Sequence, residues 1–243
     1  MSVLEDLLGS LPEGGPVRSV LVGAHWTAVC SRGCGLASTV LDDRPHGEVK
    51  VRDVGRLTEK NARELADLAR SGCRLEASIG VAAVNALLEV DETAAVEVNA
   101  GQVLADKGRD KDVALIGHFP FIPALRQAAR HLWVLELDPG EGEHPAEQAV
   151  DLVPRADVVA ITGTALINHT LDALLALCRP AALVMVLGAS TPLSPVLFDH
   201  GVTLLSGTRV VDEAAVLRTV GQGATFRQVE GVRLITLARG EGL

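Results

Sequence analysis

The second half of the chain alternates short apolar runs with helical stripes, and this alternation limits the fold more than any other feature. The clearest stretch is residues 156–170, ADVVAITGTALINHT. Its run VVAI, residues 158–161, is too short for a helix and rich in β-branched residues, so it reads as a buried parallel strand. Thr162-Gly163-Thr164 breaks the run. Asn168 then precedes Leu171, Leu174, Leu175 and Cys178, a helical apolar stripe that Pro180 ends. The loop between strand and helix holds two hydroxyls, an amide and a flexible glycine. Loops at the carboxyl ends of parallel strands are where open α/β sheets bind ligands. Capping is the competing role, with Thr162 and Thr164 closing the turn and Asn168 capping the helix, and the two roles can coexist.

The same pattern runs through the rest of this half. Strands are expected at residues 113–116, 132–137, 183–187 and 202–205, and helices at 123–130, 146–153, 195–199 and 212–220. Residues 226–229 and 232–237 read as a closing hairpin. Strands alternating with helices imply right-handed crossovers and a doubly wound parallel sheet.

The first half is organised differently. Ser2-x-x-Glu5 has the form of a capping box, and Leu4, Leu7, Leu8 and Leu11 share one face, so residues 3–11 are expected as a helix. Residues 17–41 read as strands, SVLVGAHWTAVC and LASTVLD, with a hairpin break at SRGCG. Residues 42–53 read as an exposed loop. Thr58 caps an expected helix that runs through Arg70, and residues 75–88 form a second, almost wholly apolar helix. An antiparallel sheet followed by helices is an α+β arrangement. The charged run ADKGRDKD, residues 105–112, marks a boundary between units 1–105 and 106–243. The fold class is therefore α/β, an α+β unit followed by a doubly wound parallel sheet.

Composition narrows the partners. A chain of 243 residues buries roughly 70% of its unfolded surface. Hydrophobic residues make up 48% but aromatics only 2%, with no tyrosine, so the core must be Ala, Val and Leu. A net charge of −9 with no Lys/Arg cluster argues against nucleic acid or an anionic membrane as partner. No apolar run approaches ~20 residues. The start, MSVLEDLLGSL, lacks a basic n-region. Four irregularly spaced cysteines do not make a disulfide framework. These features describe a cytoplasmic protein, and they leave a homodimer open.

Several residues are candidates for binding. Gly117-His118-Phe119-Pro120 stands where a phosphate-binding turn would be, but G-x-G-x-x-G is absent, and Phe119, Pro120 and Phe121 would crowd a pyrophosphate. An NAD site is therefore not expected, whereas S-adenosylmethionine needs no such cradle. His118 is either a ligand contact or an ordinary loop histidine. Glu136 ends the second strand, 19 residues beyond Gly117, where a Rossmann-type acid meets ribose hydroxyls. Gly188-Ala189-Ser190-Thr191 follows the fourth strand. Ser190 has no nucleophile elbow around it and reads as a hydrogen-bonding residue. Asn85 is an amide on an apolar helix, with a helix–backbone bond as its structural alternative. Asn99 has an N-cap as its own. His25, Cys30 and Cys34 invite a metal reading, but His25 and Cys30 would face opposite sides of a regular strand, and two thiols are an incomplete zinc site.

Three runs, IGHFPFI from residue 116, LVPRADVVAITGTALINHTL from 152 and LGASTPLSPVLF from 187, resemble the family described as "putative heavy-metal chelation" (DUF364 type). WTAV and SIGVAAVNALL in the first half are similar as well. The resemblance implies an enolase N-terminal-like α+β domain, a Rossmann-like domain with some likeness to methyltransferase sheets, and a site between them. It also implies condensation or hydrolysis in making pterin-, flavin- or siderophore-like chelators. The Gly-Pro-Ser often seen in such members is here Gly188-Ala189-Ser190. The resulting expectation is an interdomain cleft for a small metabolite or metal chelate, enzymatic or purely binding. Glu136, Thr162, Thr164, Asn168 and Ser190 line it, with Gly117, His118, Gly163 and Gly188 beside them, and Asn85 reaches in from the first unit.

Overall fold

The computed structural model describes residues 2–42 and 50–240. Most of the loop expected at residues 42–53 therefore lies outside the described residues. Helix α1, Val3–Ser10, is capped by the Ser2 hydroxyl, which accepts from the Glu5 N–H at 3.2 Å. The return half of the expected capping box does not form, because the Glu5 carboxylate takes the Arg70 guanidinium at 2.7–2.8 Å.

Strands β1 (Ser19–Val22), β2 (Trp26–Cys30) and β3 (Cys34–Ser38) form an antiparallel meander. The run expected as one strand, residues 19–30, is thus two strands folded at residues 23–25, where the Gly23 N–H donates to Trp26 O. His25 sits in that turn, at the opposite end of β2 from Cys30. Cys30 and Cys34 are disulfide-linked across the next turn. His25 therefore stands away from the Cys30–Cys34 pair.

Helix α2, Ala62–Ala66, starts at Asn61, whose side chain and that of Glu64 complete a capping box; Thr58 lies outside it. Helix α3, Arg74–Leu87, packs across β2 and β3. It approaches β3 so closely that a Cβ on Gly35 would stand 2.3 Å from Ala82 O and from Ala86 N. In its first turn Glu76 is 2% exposed. Burial pushes its carboxyl up, but the Arg52 guanidinium, the Ser71 hydroxyl and the Arg52 N–H together hold it below the usual carboxylate range.

Helix α4, Ala100–Lys107, begins at Asn99, whose side chain accepts from the Gln102 N–H. The second sheet follows. Its strands are β4 (Asp112–Ile116), β5 (His131–Glu136), β6 (His144–Pro145), β7 (Val158–Thr162), β8 (Leu183–Leu187), β9 (Leu204–Val210) and β10 (Val232–Ala238). Their order is β10-β9-β8-β7-β4-β5-β6, parallel except for β10. The expected closing hairpin does not form. Residues 226–228 make a 3-10 turn, and β10 pairs with β9 instead. The intervening helices are α5 (Ile122–Ala128), α6 (Ala149–Leu152), α7 (Thr164–Ile167), α8 (Leu171–Leu177), α9 (Val196–Asp199) and α10 (Glu213–Gly221).

Strand residues alternate between two cores, as a pleated sheet covered on both faces requires. Val113, Leu115, Val158 and Ala160 pack with Leu104 of α4 and with Ile122 and Leu125 of α5. Ala114, Val159, Ile161 and Val186 belong to a larger cluster that runs on into the first half, through Leu7, Leu65, Ile79 and Val84. A third cluster joins Ala28 and Leu36 to Val216 and Val220 of α10. No helix among the described residues is long and apolar enough to cross a membrane.

Candidate functional site

The chain runs from β4 outward to β5 and β6, then returns to β7 and continues to β8 and β9. The strand order therefore reverses between β4 and β7. Ligands of open α/β sheets bind outside the carboxyl ends at such a point. Ile116 is in register with Leu135 on one side and with Ile161 on the other, which brings three strand ends level. Gly117, Glu136 and Thr162 consequently share one edge. Gly117 turns the chain at φ +108°, and Gly188 does the same after β8 at φ +109°, a region most side chains avoid.

A cavity of about 540 Å³ opens on this edge. It brings together six of the residues singled out in the sequence: Gly117, His118, Glu136, Thr162, Thr164 and Asn168. Apolar walls come from Leu135, Leu137, Val150, Leu174 and Leu177. Val40 and Arg74 of the first half also line this cavity.

Asn168 does not cap the helix after it. It ends α7, and its Oδ1 is buried without a hydrogen-bond partner among the described residues. An acceptor left this way beside a cavity is costly unless a ligand or water donates to it. The Thr162 hydroxyl donates to Thr164 Oγ1 at 3.2 Å, and Thr164 Oγ1 lies 3.3 Å from Ser38 Oγ. Ser190 completes this row from the far end, accepting from the Ser38 N–H at 2.8 Å and donating to Ser38 Oγ at 3.1 Å.

Four of the expected residues stand apart from the cavity lining. Ser190 is 2% exposed and satisfied by Ser38, so it fastens β3 to the loop after β8. Gly163 is not a flexible link. It is helical at φ −59°, and a Cβ there would meet the Thr191 N at 2.6 Å. Gly188 turns the chain next to Ser190. Asn85 donates from Nδ2 to Leu36 O at 2.8 Å, which ties α3 to β3, while its Oδ1 is buried without a hydrogen-bond partner among the described residues.

Sequence reasoning missed three charged side chains, Arg74 and Glu147 on the cavity wall and Glu143 beside His118. His118 Nδ1 lies 2.7 Å from Glu143 Oε1, and Glu143 Oε2 accepts from the Gly140 N–H at 2.9 Å. The Gly140 N–H and then His118 hold the Glu143 carboxyl below its ordinary range. With Nδ1 donating to this fixed carboxylate, the neutral imidazole keeps Nε2 as an acceptor. Nothing in the sequence ties Glu143, in the loop after β5, to His118. Arg74 did leave a signal: a cation in the first turn of a long apolar helix opposes the helix dipole.

The description of the family that the sequence resembles raises the question of a metal site. Among the described residues, no group of three or more His, Cys, Asp or Glu side chains is placed to hold a metal ion. The donors at hand do not form a cage for a bare cation.

Comparison with known proteins agrees with the geometry. A family model described as "Putative heavy-metal chelation", DUF364, matches residues 99–239, and a second with the same description, DUF4213, matches residues 4–88. An uncharacterized protein of Methanocaldococcus jannaschii is 29% identical over 186 residues, 73% of this chain and 70% of that protein. The crystal structure of a DUF364-family protein of unknown function from Desulfitobacterium hafniense superposes with a TM-score of 0.86 at 29% identity, covering 98% of each chain. One from Pyrococcus horikoshii, also DUF364 and of unknown function, gives 0.80 at 20% identity over 98% of each chain, a likeness of fold. With a family model covering more than half of its length, the chain belongs to the DUF364 family, described as "Putative heavy-metal chelation".

Proposed function

We propose that the cleft binds a small organic metabolite of the pterin, flavin or siderophore kind and acts on it by condensation or hydrolysis, the chelating molecule rather than a bare metal ion being what the protein handles. The observation that carries this reading is the cavity at the sheet's reversal point, where a few polar groups stand among apolar walls. Glu136 occupies the position that reads hydroxyls or ring N–H groups in folds of this kind. Thr162, Thr164 and the unpartnered Asn168 amide oxygen supply neutral hydrogen bonds. His118, steadied by Glu143, is the group able to move a proton at the ligand. The lack of a metal cage among the described residues favours a ligand that brings its own donors. S-adenosylmethionine fits the same edge as a cosubstrate, since no pyrophosphate has to be cradled.

The alternative is a protein that binds such a metabolite, or its metal chelate, without turning it over. Exposure of His118, whose side chain is 68% accessible, is the observation on that side, because a proton-transfer group works best away from water. Calorimetry with a pterin, flavin mononucleotide, a catecholate and S-adenosylmethionine tests the shared core of both readings. At least one should bind, and Glu136→Gln should weaken it by about 1–3 kcal/mol, the cost of a lost charged hydrogen bond. Mass spectrometry of the incubated ligand then separates enzyme from binder. Unchanged affinity in Glu136→Gln would remove the cleft from the account.

A further inference from the structure

The cleft's walls carry Glu136 and Glu147 from the second sheet's side and one guanidinium, Arg74, from the first half. Arg74 is half-buried. Its backbone N–H donates to Asp42 Oδ2 at 3.0 Å, but its guanidinium makes no hydrogen bond or ion pair among the described residues. Arg18, Arg52, Arg70, Arg130, Arg179 and Arg233 each meet a carboxylate, and Arg56, Arg227 and Arg239, which meet none among the described residues, are exposed. Arg74 also stands in the first turn of a 14-residue helix, where the dipole disfavours a cation, and α3 carries no side-chain cap of its own. A half-buried cation with no partner among the described residues, placed at the wrong end of a helix, is unfavourable in the empty protein. Stability alone does not account for it there.

We infer that Arg74 is the anion-binding residue of this cleft and that the ligand is an acid: a hydroxylated or N–H-bearing ring carrying a carboxylate, with the ring end toward Glu136 and the carboxylate on Arg74. A guanidinium suits this task because its planar fork pairs with both carboxylate oxygens at once. The two ends of the ligand then come from different halves of the chain, so a bound acid spans the junction between them. The inference rests on the proposed function for the ring class but not for the anion.

The test uses two probes that differ only in the acid, pterin and pterin-6-carboxylate, with the full chain as wild type, Arg74→Met and Arg74→Lys. Met keeps the apolar stem and removes the charge. Pterin-6-carboxylate should bind wild type at least about tenfold more tightly than pterin, a difference that a charge-assisted bidentate pair supports. The preference should vanish in Arg74→Met and shrink in Arg74→Lys. Equal binding of the two probes by wild type, or a preference that survives in Arg74→Met, overturns the inference. Failure of both probes to bind wild type removes the pterin class from the proposed function, and the melting temperature of the ligand-free variants then decides about Arg74. A rise of about 2–4 °C in Arg74→Met marks a cation kept at the protein's expense and upholds the anion site. A fall shows that the protein itself holds the guanidinium and overturns it.

Discussion

Ser190 and Thr164 carry the same chemical group a few residues beyond neighbouring strands, yet only Thr164 lines the cleft. The difference lies in Ser38, the last residue of β3, whose N–H takes Ser190 as its acceptor across 152 positions of sequence. Glu76 is a second side chain whose role is set by distant partners. Its folded carboxyl lies below its ordinary value of 4.5, so its contribution to stability is present above that pH and is lost as pH falls through the folded value. Glu76→Gln should cost about 1–3 kcal/mol in urea unfolding at pH 7. The gap to wild type should narrow steadily below pH 4.5; a gap independent of pH would mean that the charge contributes nothing. The strand ends that place Gly117, Glu136 and Thr162 were legible in the sequence, because short β-branched runs broken by small polar residues have few other readings. Which loop hydroxyl lines the cleft, and that His118 finds Glu143, were not legible, because both depend on chain segments meeting in space.

At the level of elements, the sequence gives away most where periodicity is long and least where a turn is tight. α3 was expected one residue out of register with its observed span, Arg74–Leu87. Residues 19–30 were expected as one strand because Gly23-Ala24-His25 lacks the usual two-residue hairpin signature, whereas β1 pairs antiparallel with β2 and the Gly23–Trp26 bond closes the turn. Residues 226–229 were paired with the nearest run in sequence, whereas β10 reaches the exposed edge of β9. The contact between α3 and β3 is the tightest of these relations. Gly35→Ala would set a methyl 2.3 Å from two backbone atoms of α3, so the helix must lift from the sheet. A loss of at least about 2 kcal/mol is expected from chemical denaturation. Because Val40 follows β3 and Arg74 begins α3, the cleft should loosen with it. An unchanged denaturation midpoint would mean that helix and strand are less firmly seated than their spacing implies.

In the whole molecule the two sheets share a core. The cluster that contains Ala114, Ile161 and Val186 also contains Leu7, Leu65 and Ile79. Calorimetry should therefore show one cooperative transition, and residues 99–243 expressed alone should bind a hydrophobic dye and lack sharp unfolding. Two resolved transitions, or a well-folded fragment, would mean that each half is stable by itself. The packing of Ala28 and Leu36 against Val216 and Val220 bears on how the chain is made. A ribosome that has released the first sheet has yet to translate the helix that covers it. At the usual pace of synthesis, on the order of 10–40 s separate the two. For that interval the apolar side of β2 and β3 stays open on the nascent chain, and the first unit made is among the last to be closed.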